Sequence, residues 1–134
     1  PRGSFTPKRA RTENVLLIAG GIGVAPFLPC AKALLREGKT VQILYSVSDE
    51  SDVVFAREFS ALQDAARGRF AVSVHESKTM GRVNEVVLSN YIGGYEELLT
   101  VYICGPDPMT SAVKKALPYL GVPKKQIIAE RFMF

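Results

Sequence analysis

The feature that most constrains the fold is the stretch NVLLIAGGIGVAPFLPCAKALL, which runs from Asn14 to Leu35. It begins as an apolar run, passes through Gly20, Gly21 and Gly23, and continues in a helical pattern. A strand that is apolar on both faces is typical of a parallel sheet. A glycine-rich turn between such a strand and a helix indicates the carboxyl edge of the sheet, where open α/β sheets bind ligands.

The same alternation of apolar strand and helix continues along the whole chain. We predict strands at 14–19, 40–46, 70–75, 99–104 and 126–131, and helices near 26–36, 53–66, 83–91 and 108–120. This order predicts an α/β domain, a doubly wound five-stranded parallel sheet with helices on both faces. Residues 14–134 are long enough for one domain with its own core, and residues 1–13 are polar and predicted to be a linker.

The first turn suits an anion. Glycines permit a tight turn and keep the mouth of the following helix open, where free N–H groups and the helix dipole attract a phosphate. We therefore predict that this turn holds the pyrophosphate of a dinucleotide. The alternative is a turn without a ligand, because the pattern is G-x-G-x-x-P and lacks the third glycine of the complete fingerprint. The residues of this glycine turn are Gly20, Gly21, Ile22, Gly23, Val24, Ala25 and Pro26.

A second stretch, VYICGPDPMTSAV, repeats this arrangement. A buried strand ends at Cys104, and a helix follows the turn through Gly105 and Pro106. The glycine turn and this proline loop (residues 104–109) are predicted to line one cleft. Cys104 is either a small buried apolar residue or a soft sulfur packed against a flat ring. Nucleophilic catalysis is not expected, because the single histidine, His75, ends a different strand and is predicted to be structural or exposed.

Charge and cysteine content exclude several classes of function. The net charge of +4 is concentrated in the segments PKRARTE and PKK, which favours a solvated basic surface over nucleic-acid binding. Cys30 and Cys104 lack metal-ligand spacing, so we expect no metal site and a reducing, cytoplasmic or cytosol-facing location. No apolar run approaches the ~20 residues of a membrane span, although a membrane-associated complex stays open. Pro1–Ser4 reads PRGS, as a cleaved expression tag would.

The motifs GGIGVAPF, CGPDPM and AERF occur in an order and spacing that resemble a known family. They are similar to the pyridine-nucleotide-binding lobe of the ferredoxin–NADP reductase family, which includes cytochrome b5 reductases and oxygenase reductases. The resemblance covers residues 14–132. It implies an NAD(P)H-dependent flavin oxidoreductase, with FAD or FMN on a domain or subunit outside this chain. It also implies a downstream electron acceptor, such as an iron–sulfur protein, a haem or an oxygenase. Residues 1–13 would then be a tag remnant or the end of the flavin domain.

The resemblance assigns roles to residues of both loops. It implies that the glycine turn holds the pyrophosphate. Cys104, Gly105 and Pro106 correspond to the loop beside the nicotinamide ring, and Met109 corresponds to a methionine that contacts the nucleotide.

Two residues near the chain end also receive roles from the resemblance. Glu130 corresponds to a carboxylate near the site of hydride transfer, so Cys104 and Glu130 are the catalytic candidates. Phe132 corresponds to an aromatic ring that covers the flavin. The alternative for Phe132 is ordinary packing, since aromatic residues often anchor chain ends.

The segment YSVSDESD after the second strand is expected near the adenine ribose, with Ser46 and Asp52 as cofactor contacts. Asp52 resembles the acidic residue that favours NADH in cytochrome b5 reductases. A carboxylate accepts hydrogen bonds from a 2′-hydroxyl and repels a 2′-phosphate. The alternative is that Asp52 caps the amino end of the next helix.

The third strand adds a second argument on the cofactor. NADPH-dependent members place Ser-Arg after this strand, whereas here Ser73 is followed by Val74. Lys78 and Arg82 lie close enough in sequence to keep NADP(H) open. We predict NAD(H) rather than NADP(H).

Two other functions stay open at this point. One is a non-catalytic nucleotide-binding domain that regulates or docks a subunit. The other is an unrelated α/β domain in which the glycines serve only turns.

Overall fold

The computed structural model describes residues 12–131, so Phe132 and Pro1–Ser4 lie outside the described part of the chain. Ten elements carry the fold. The strands are β1 (Asn14–Gly20), β2 (Thr40–Val47), β3 (Phe70–Glu76), β4 (Leu99–Gly105) and β5 (Ile127–Arg131). The helices are α1 (Phe27–Arg36), α2 (Ala56–Ala66), α3 (Ser77–Met80), α4 (Glu85–Ile92) and α5 (Asp107–Tyr119). The first four strands each extend one residue beyond their predicted ends.

All five strands are parallel, in the order β3-β2-β1-β4-β5. The chain runs outward from the central β1 to β3 and then returns to the other side of β1 to form β4. Ala19 of β1 consequently pairs with Tyr45 of β2 on one side and Cys104 of β4 on the other. The loops after β1 and β4 leave the sheet in a place where α/β sheets form a crevice.

Side-chain alternation divides the core into two clusters, one on each face of the sheet. Alternate residues of β1 enter different clusters, because helices cover both faces. One cluster contains Val15, Leu17, Phe27 and Leu34, and the other contains Leu16, Ile18, Leu88 and Leu117. This burial on both faces explains the uninterrupted apolar runs of β1 and β4, and it confirms the predicted doubly wound α/β fold.

The amino end of the first helix differs from the prediction. A 3₁₀ turn at Gly21–Val24 comes first, and α1 begins at Phe27 with Pro26 in the flanking position. The short helix α3, directly after β3, has no counterpart among the predicted elements.

The second helix begins three residues later than predicted, at Ala56. The alternative role of Asp52 as its N-cap is therefore wrong, because the capping position belongs to Phe55, which has φ 64° and makes no side-chain cap. A tertiary contact explains the delay. The backbone N–H of Val54 donates to the hydroxyl of buried Tyr45 at 3.1 Å, which holds the segment outside the helix.

Candidate functional site

A cleft of about 590 Å³ opens at the carboxyl edge of the sheet. Its volume lies within the range of roughly 300–1,000 Å³ that small-molecule sites occupy. The loops after β1, β2, β3 and β4 all contribute to it. The residues that line it are Gly20, Gly21, Ile22, Tyr45, Ser46, Val47, Ser48, Asp52, Val54, Ser77, Arg82, Val83, Pro106, Pro108, Met109 and Ala112.

The glycine turn and the proline loop touch each other through their backbones. A Cβ atom on Gly23 would lie 2.2 Å from the carbonyl oxygen of Cys104. A Cβ atom on Gly105 would lie 3.1 Å from the backbone nitrogen of Gly20, and one on Gly20 would lie 2.7 Å from the sulfur of Met109. Gly23 and Gly105 require glycine because the backbones of two loops meet there, whereas the contact at Gly20 is with the side chains of Met109 and Pro106. The predicted convergence of the two loops is confirmed.

Among the glycines of the two loops, Gly21 is the one whose Cβ position is unoccupied. Its φ of +54° favours glycine, and no atom lies within 4 Å of the place where its Cβ would stand. The neighbouring Ile22 exposes 63 % of its surface, although large apolar side chains are usually buried. Gly21 also lines the cleft, so its backbone is accessible to a bound group there.

The predicted cofactor residues divide into two groups. Seven of them line the cleft: Gly20, Gly21, Ile22, Ser46, Asp52, Pro106 and Met109. Six others lie behind or beside its surface: Gly23, Val24, Ala25, Pro26, Cys104 and Gly105. Val24, for example, is fully buried against the core and supports the glycine turn from behind.

Cys104 and Glu130 are paired across β4 and β5. The Cys104 side chain has no exposed surface, which agrees with its interpretation as a small buried residue. Burial, with the negative charge of Glu130 as a smaller cause, raises the pKa of Cys104 to about 12. The Oε1 atom of Glu130 is buried and has no hydrogen-bond partner within residues 12–131. Buried polar atoms of this kind are rare, and each one calls for a missing donor.

The loop after β2 is held by Asp49. The Oδ1 atom of Asp49 accepts hydrogen bonds from the backbone N–H and the hydroxyl of Ser51, both at 3.0 Å. In return, the Asp49 N–H donates to Oδ2 of Asp52 at 3.2 Å, which completes a capping box. Lys78 donates to the other oxygen of Asp49, and this bond is the main reason that the pKa of Asp49 is lowered. The capping box could have been predicted from the D-x-x-D spacing of Asp49 and Asp52, but the sequence analysis did not identify it.

Two further hydrogen bonds join this loop to the end of β3 and to α3, and a third, between Thr79 and Glu76, holds the Glu76 carboxylate in place. Glu76 accepts from the backbone N–H of Glu50 at 2.7 Å and from the hydroxyl of Thr79 at 2.9 Å. The Lys78 N–H donates to the carbonyl of Ser48 at 3.1 Å. Because Ser48 lines the cleft, the two segments form one braced wall of it.

His75 has a structural role. It is 3 % exposed, and its Nε2 atom lies 2.7 Å from the carbonyl oxygen of Gly81. Since a carbonyl oxygen only accepts, Nε2 carries the proton. The structural interpretation is confirmed, and the alternative that His75 is exposed is wrong. Within residues 12–131, no cluster of three or more His, Cys, Asp or Glu side chains could hold a metal ion. None of the helices in that part of the chain is long and apolar enough to cross a membrane.

A parallel sheet with a cleft where its strand order reverses is an open α/β fold of the kind that binds ligands at that crevice. The chain belongs to the oxidoreductase NAD-binding domain family, whose family model matches residues 17–115. This membership confirms the resemblance to the nucleotide-binding lobe of the ferredoxin–NADP reductase family.

Individual relatives agree with this assignment. The chain is 33 % identical to flavohemoprotein A of Dictyostelium discoideum over 98 % of its own length and 34 % of the relative's. It is 32 % identical to the ferredoxin reductase component of 3-ketosteroid-9-alpha-monooxygenase from Rhodococcus rhodochrous, over 98 % and 37 % of the two chains. A ferredoxin NADP+ reductase from Neisseria gonorrhoeae, solved with FAD and NADP, has the same fold, with a TM-score of 0.78 at 21 % identity over 95 % and 59 %. The chain thus spans about a third of the length of these curated relatives.

Proposed function

We propose that this chain binds NAD(H) in the cleft and presents it to a flavin, FAD or FMN, held by a domain or subunit outside the chain. The nicotinamide would supply a hydride and the flavin would accept it. The observation that carries the proposal is the cleft lined by Gly21, together with the backbone contact between the glycine turn and the proline loop. The family assignment says which class of ligand to expect there.

The pyrophosphate is assigned to the glycine turn. Gly21 and Ile22 line the cleft and begin the 3₁₀ turn that leads to α1, a helix of ten residues. The amino end of a helix carries partial positive charge from its unpaired N–H groups. Gly21 has no side chain to keep an anion away from this end, so the chain itself supplies the attraction.

The adenosine ribose is assigned to Ser46 and Asp52. One oxygen of Asp52 accepts the Asp49 N–H, and a carboxylate has room for several donors, so Asp52 can also accept from ribose hydroxyls. Its charge would repel a 2′-phosphate. Among the described residues, Arg82 is the one cationic side chain that lines the cleft. Val74, which replaces an arginine, lines a separate cavity of about 270 Å³ beside α2. The positions of Asp52 and Val74 support NAD(H), whereas Arg82 is the group of the cleft that would attract a 2′-phosphate.

The nicotinamide is assigned to the carboxyl end of β4. Cys104 would stay a neutral thiol at physiological pH because its pKa is raised to about 12, so its role is to shape the site. The Oε1 atom of Glu130, which has no partner among residues 12–131, would accept a hydrogen bond from the bound nucleotide. The chain would therefore act by orienting the ring, and orientation alone lowers barriers considerably.

Calorimetry on this chain tests the binding. NADH and ADP-ribose should bind, and NADPH should bind more weakly. Asp52→Asn should weaken the binding of NADH and reduce the difference in affinity between NADH and NADPH. Asp64→Asn removes the same charge from the exposed side of α2, outside the cleft, and is the matched control. If none of the three ligands binds, the proposal is wrong.

The absorption spectrum of the full-length protein tests the electron transfer. A yellow protein whose flavin is bleached by NADH supports the proposal. NADH binding without a flavin would instead indicate a regulatory or docking domain. The acceptor beyond the flavin would be a haem, an iron–sulfur protein or an oxygenase, as the names of the two curated relatives suggest. Both Cys30 and Cys104 are free thiols, which supports a reducing, cytosol-facing location.

A further inference from the structure

Asp49 lies beside the cleft and is not part of its surface. It is nevertheless bound to one anionic and one cationic side chain that would lie near a phosphorylated ribose. Its backbone N–H fixes the carboxylate of Asp52, and its side chain holds the ammonium of Lys78. Ser48 and Ser77, the sequence neighbours of Asp49 and Lys78, both line the cleft.

Lys78 is the cation whose availability matters. A lysine ammonium is a strong partner for a phosphate group, because charge-assisted hydrogen bonds are stronger than neutral ones. Here the Lys78 ammonium is bound to Asp49, and the backbone N–H of Lys78 donates to the carbonyl of Ser48. The side chains of Lys78 and Asp49 are 57 % and 37 % exposed, so the pair is accessible to solvent beside Ser48 and Ser77, which line the cleft.

The same aspartate also limits the freedom of Asp52. The capping box fixes the short 3₁₀ turn Glu50–Asp52, so the carboxylate of Asp52 stays at the cleft. Asp49 therefore holds the Asp52 carboxylate toward the ribose and keeps the Lys78 ammonium away from it. Both effects disfavour a ligand that carries an additional phosphate.

We propose that Asp49 is a positioning residue that sets cofactor specificity, because it sequesters Lys78 and orients Asp52 so that the cleft rejects a 2′-phosphate. This inference rests on the proposed NAD(H) function and identifies the residue that enforces it. Asp49 acts through its two neighbours and does not itself need to touch the nucleotide.

The test compares two probes that differ only in the 2′-phosphate, ADP-ribose and 2′-phospho-ADP-ribose, by calorimetry on this chain. Asp49→Asn should improve the affinity for 2′-phospho-ADP-ribose relative to ADP-ribose by about fivefold, the effect of roughly one exposed ion pair. A merely structural role would weaken both probes together and leave their ratio unchanged. An unchanged ratio would overturn the inference.

Glu50→Gln is the matched control, because it removes an equal charge from the adjacent position, and Glu50 is bound to Glu76 only through its backbone. In Glu50→Gln the affinity for 2′-phospho-ADP-ribose relative to ADP-ribose should differ from the wild-type value by less than about twofold. If Glu50→Gln and Asp49→Asn shift the ratio equally, general charge explains the effect and the inference is wrong.

The double variant Asp49→Asn with Lys78→Met tests the role of the lysine. It should return the ratio to nearly the wild-type value, because the released cation is gone. If the double variant keeps the whole shift, Lys78 is not the responsible group and the sequestration is refuted. Thermal unfolding of each variant should match wild type, since exposed ion pairs contribute little to stability.

Failure of this inference is distinguishable from failure of the proposed function. A wild-type chain that binds neither probe refutes both. A wild-type chain that prefers ADP-ribose, with an unchanged preference in Asp49→Asn, refutes only the role of Asp49.

Discussion

Replacement of Gly23 by alanine is the sharpest test of how the cleft is built. A Cβ atom at this position would stand 2.2 Å from the carbonyl oxygen of Cys104, 2.7 Å from its carbonyl carbon and 3.0 Å from Cα of Gly105. All three atoms belong to the backbone, so no flexible side chain can move aside. The glycine turn must retreat from the proline loop by about 0.8 Å before the shortest contact reaches 3.0 Å.

The expected cost follows from this displacement. Inserting one carbon into a well-packed region costs ~1–3 kcal/mol, and a contact with rigid backbone belongs at the upper end. We therefore expect Gly23→Ala to lower the free energy of unfolding by about 3 kcal/mol and the Tm by about 10 °C. Affinity for ADP-ribose should fall as well, because the two loops that form the cleft separate.

Gly21→Ala is the matched comparison. It adds the same methyl group two residues earlier, where nothing lies within 4 Å, and its cost comes from φ +54° alone. An alanine in this left-handed conformation costs roughly 1–2 kcal/mol. Because Gly21 lines the cleft, we expect ligand binding to be weakened more than stability.

Equilibrium unfolding in urea measures both variants against wild type, and calorimetry with ADP-ribose measures binding. Gly23→Ala must be the less stable of the two. If it unfolds at the wild-type urea concentration, or if Gly21→Ala is the less stable variant, the backbone contact between the loops does not exist as described.

Two further predictions concern stability. Tyr45→Phe removes the hydroxyl that accepts the Val54 N–H at 3.1 Å, so it should cost about 1 kcal/mol in urea unfolding; a loss below about 0.3 kcal/mol would show that this bond does not hold the segment before α2. The pH dependence of unfolding should reveal the buried thiols, because burial raises the pKa of Cys30 to about 11 and, with a smaller effect of Glu130, that of Cys104 to about 12. Above pH ~9 the unfolded state loses these protons first, so stability should fall by about 1.4 kcal/mol per pH unit for each thiol until the folded pKa is reached. In the double variant Cys30→Ala with Cys104→Ala the unfolding free energy should fall less steeply with pH. If it falls equally steeply in the variant and in wild type, the buried thiols do not cause the pH dependence.

The sequence by itself determined the fold class. Strands such as β1 and β4 are buried on both faces, and no other common arrangement requires runs apolar at every position. The two glycine- and proline-containing turns mark strand ends through local chemistry, so their places were predicted to within one residue. The convergence of the glycine turn and the proline loop followed from the same reasoning, because parallel strands end at one edge.

Only the tertiary structure decided what occupies the space around the glycines. Gly20, Gly21, Gly23 and Gly105 look alike in the sequence. In the structure a Cβ atom on Gly23 or Gly105 would meet backbone, one on Gly20 would meet the side chains of Pro106 and Met109, and one on Gly21 would meet no atom within 4 Å. The reason is that a missing side chain leaves no local sign of which neighbour fills its place.

Asp52 shows the same limit. Its spacing before an apolar helix suggested a helix cap, but the hydroxyl of Tyr45 holds the intervening segment out of that helix. The bond between Asp49 and Lys78 joins positions 29 residues apart. Contacts of this length depend on how β2 and β3 lie side by side, and local sequence carries no information about that distance.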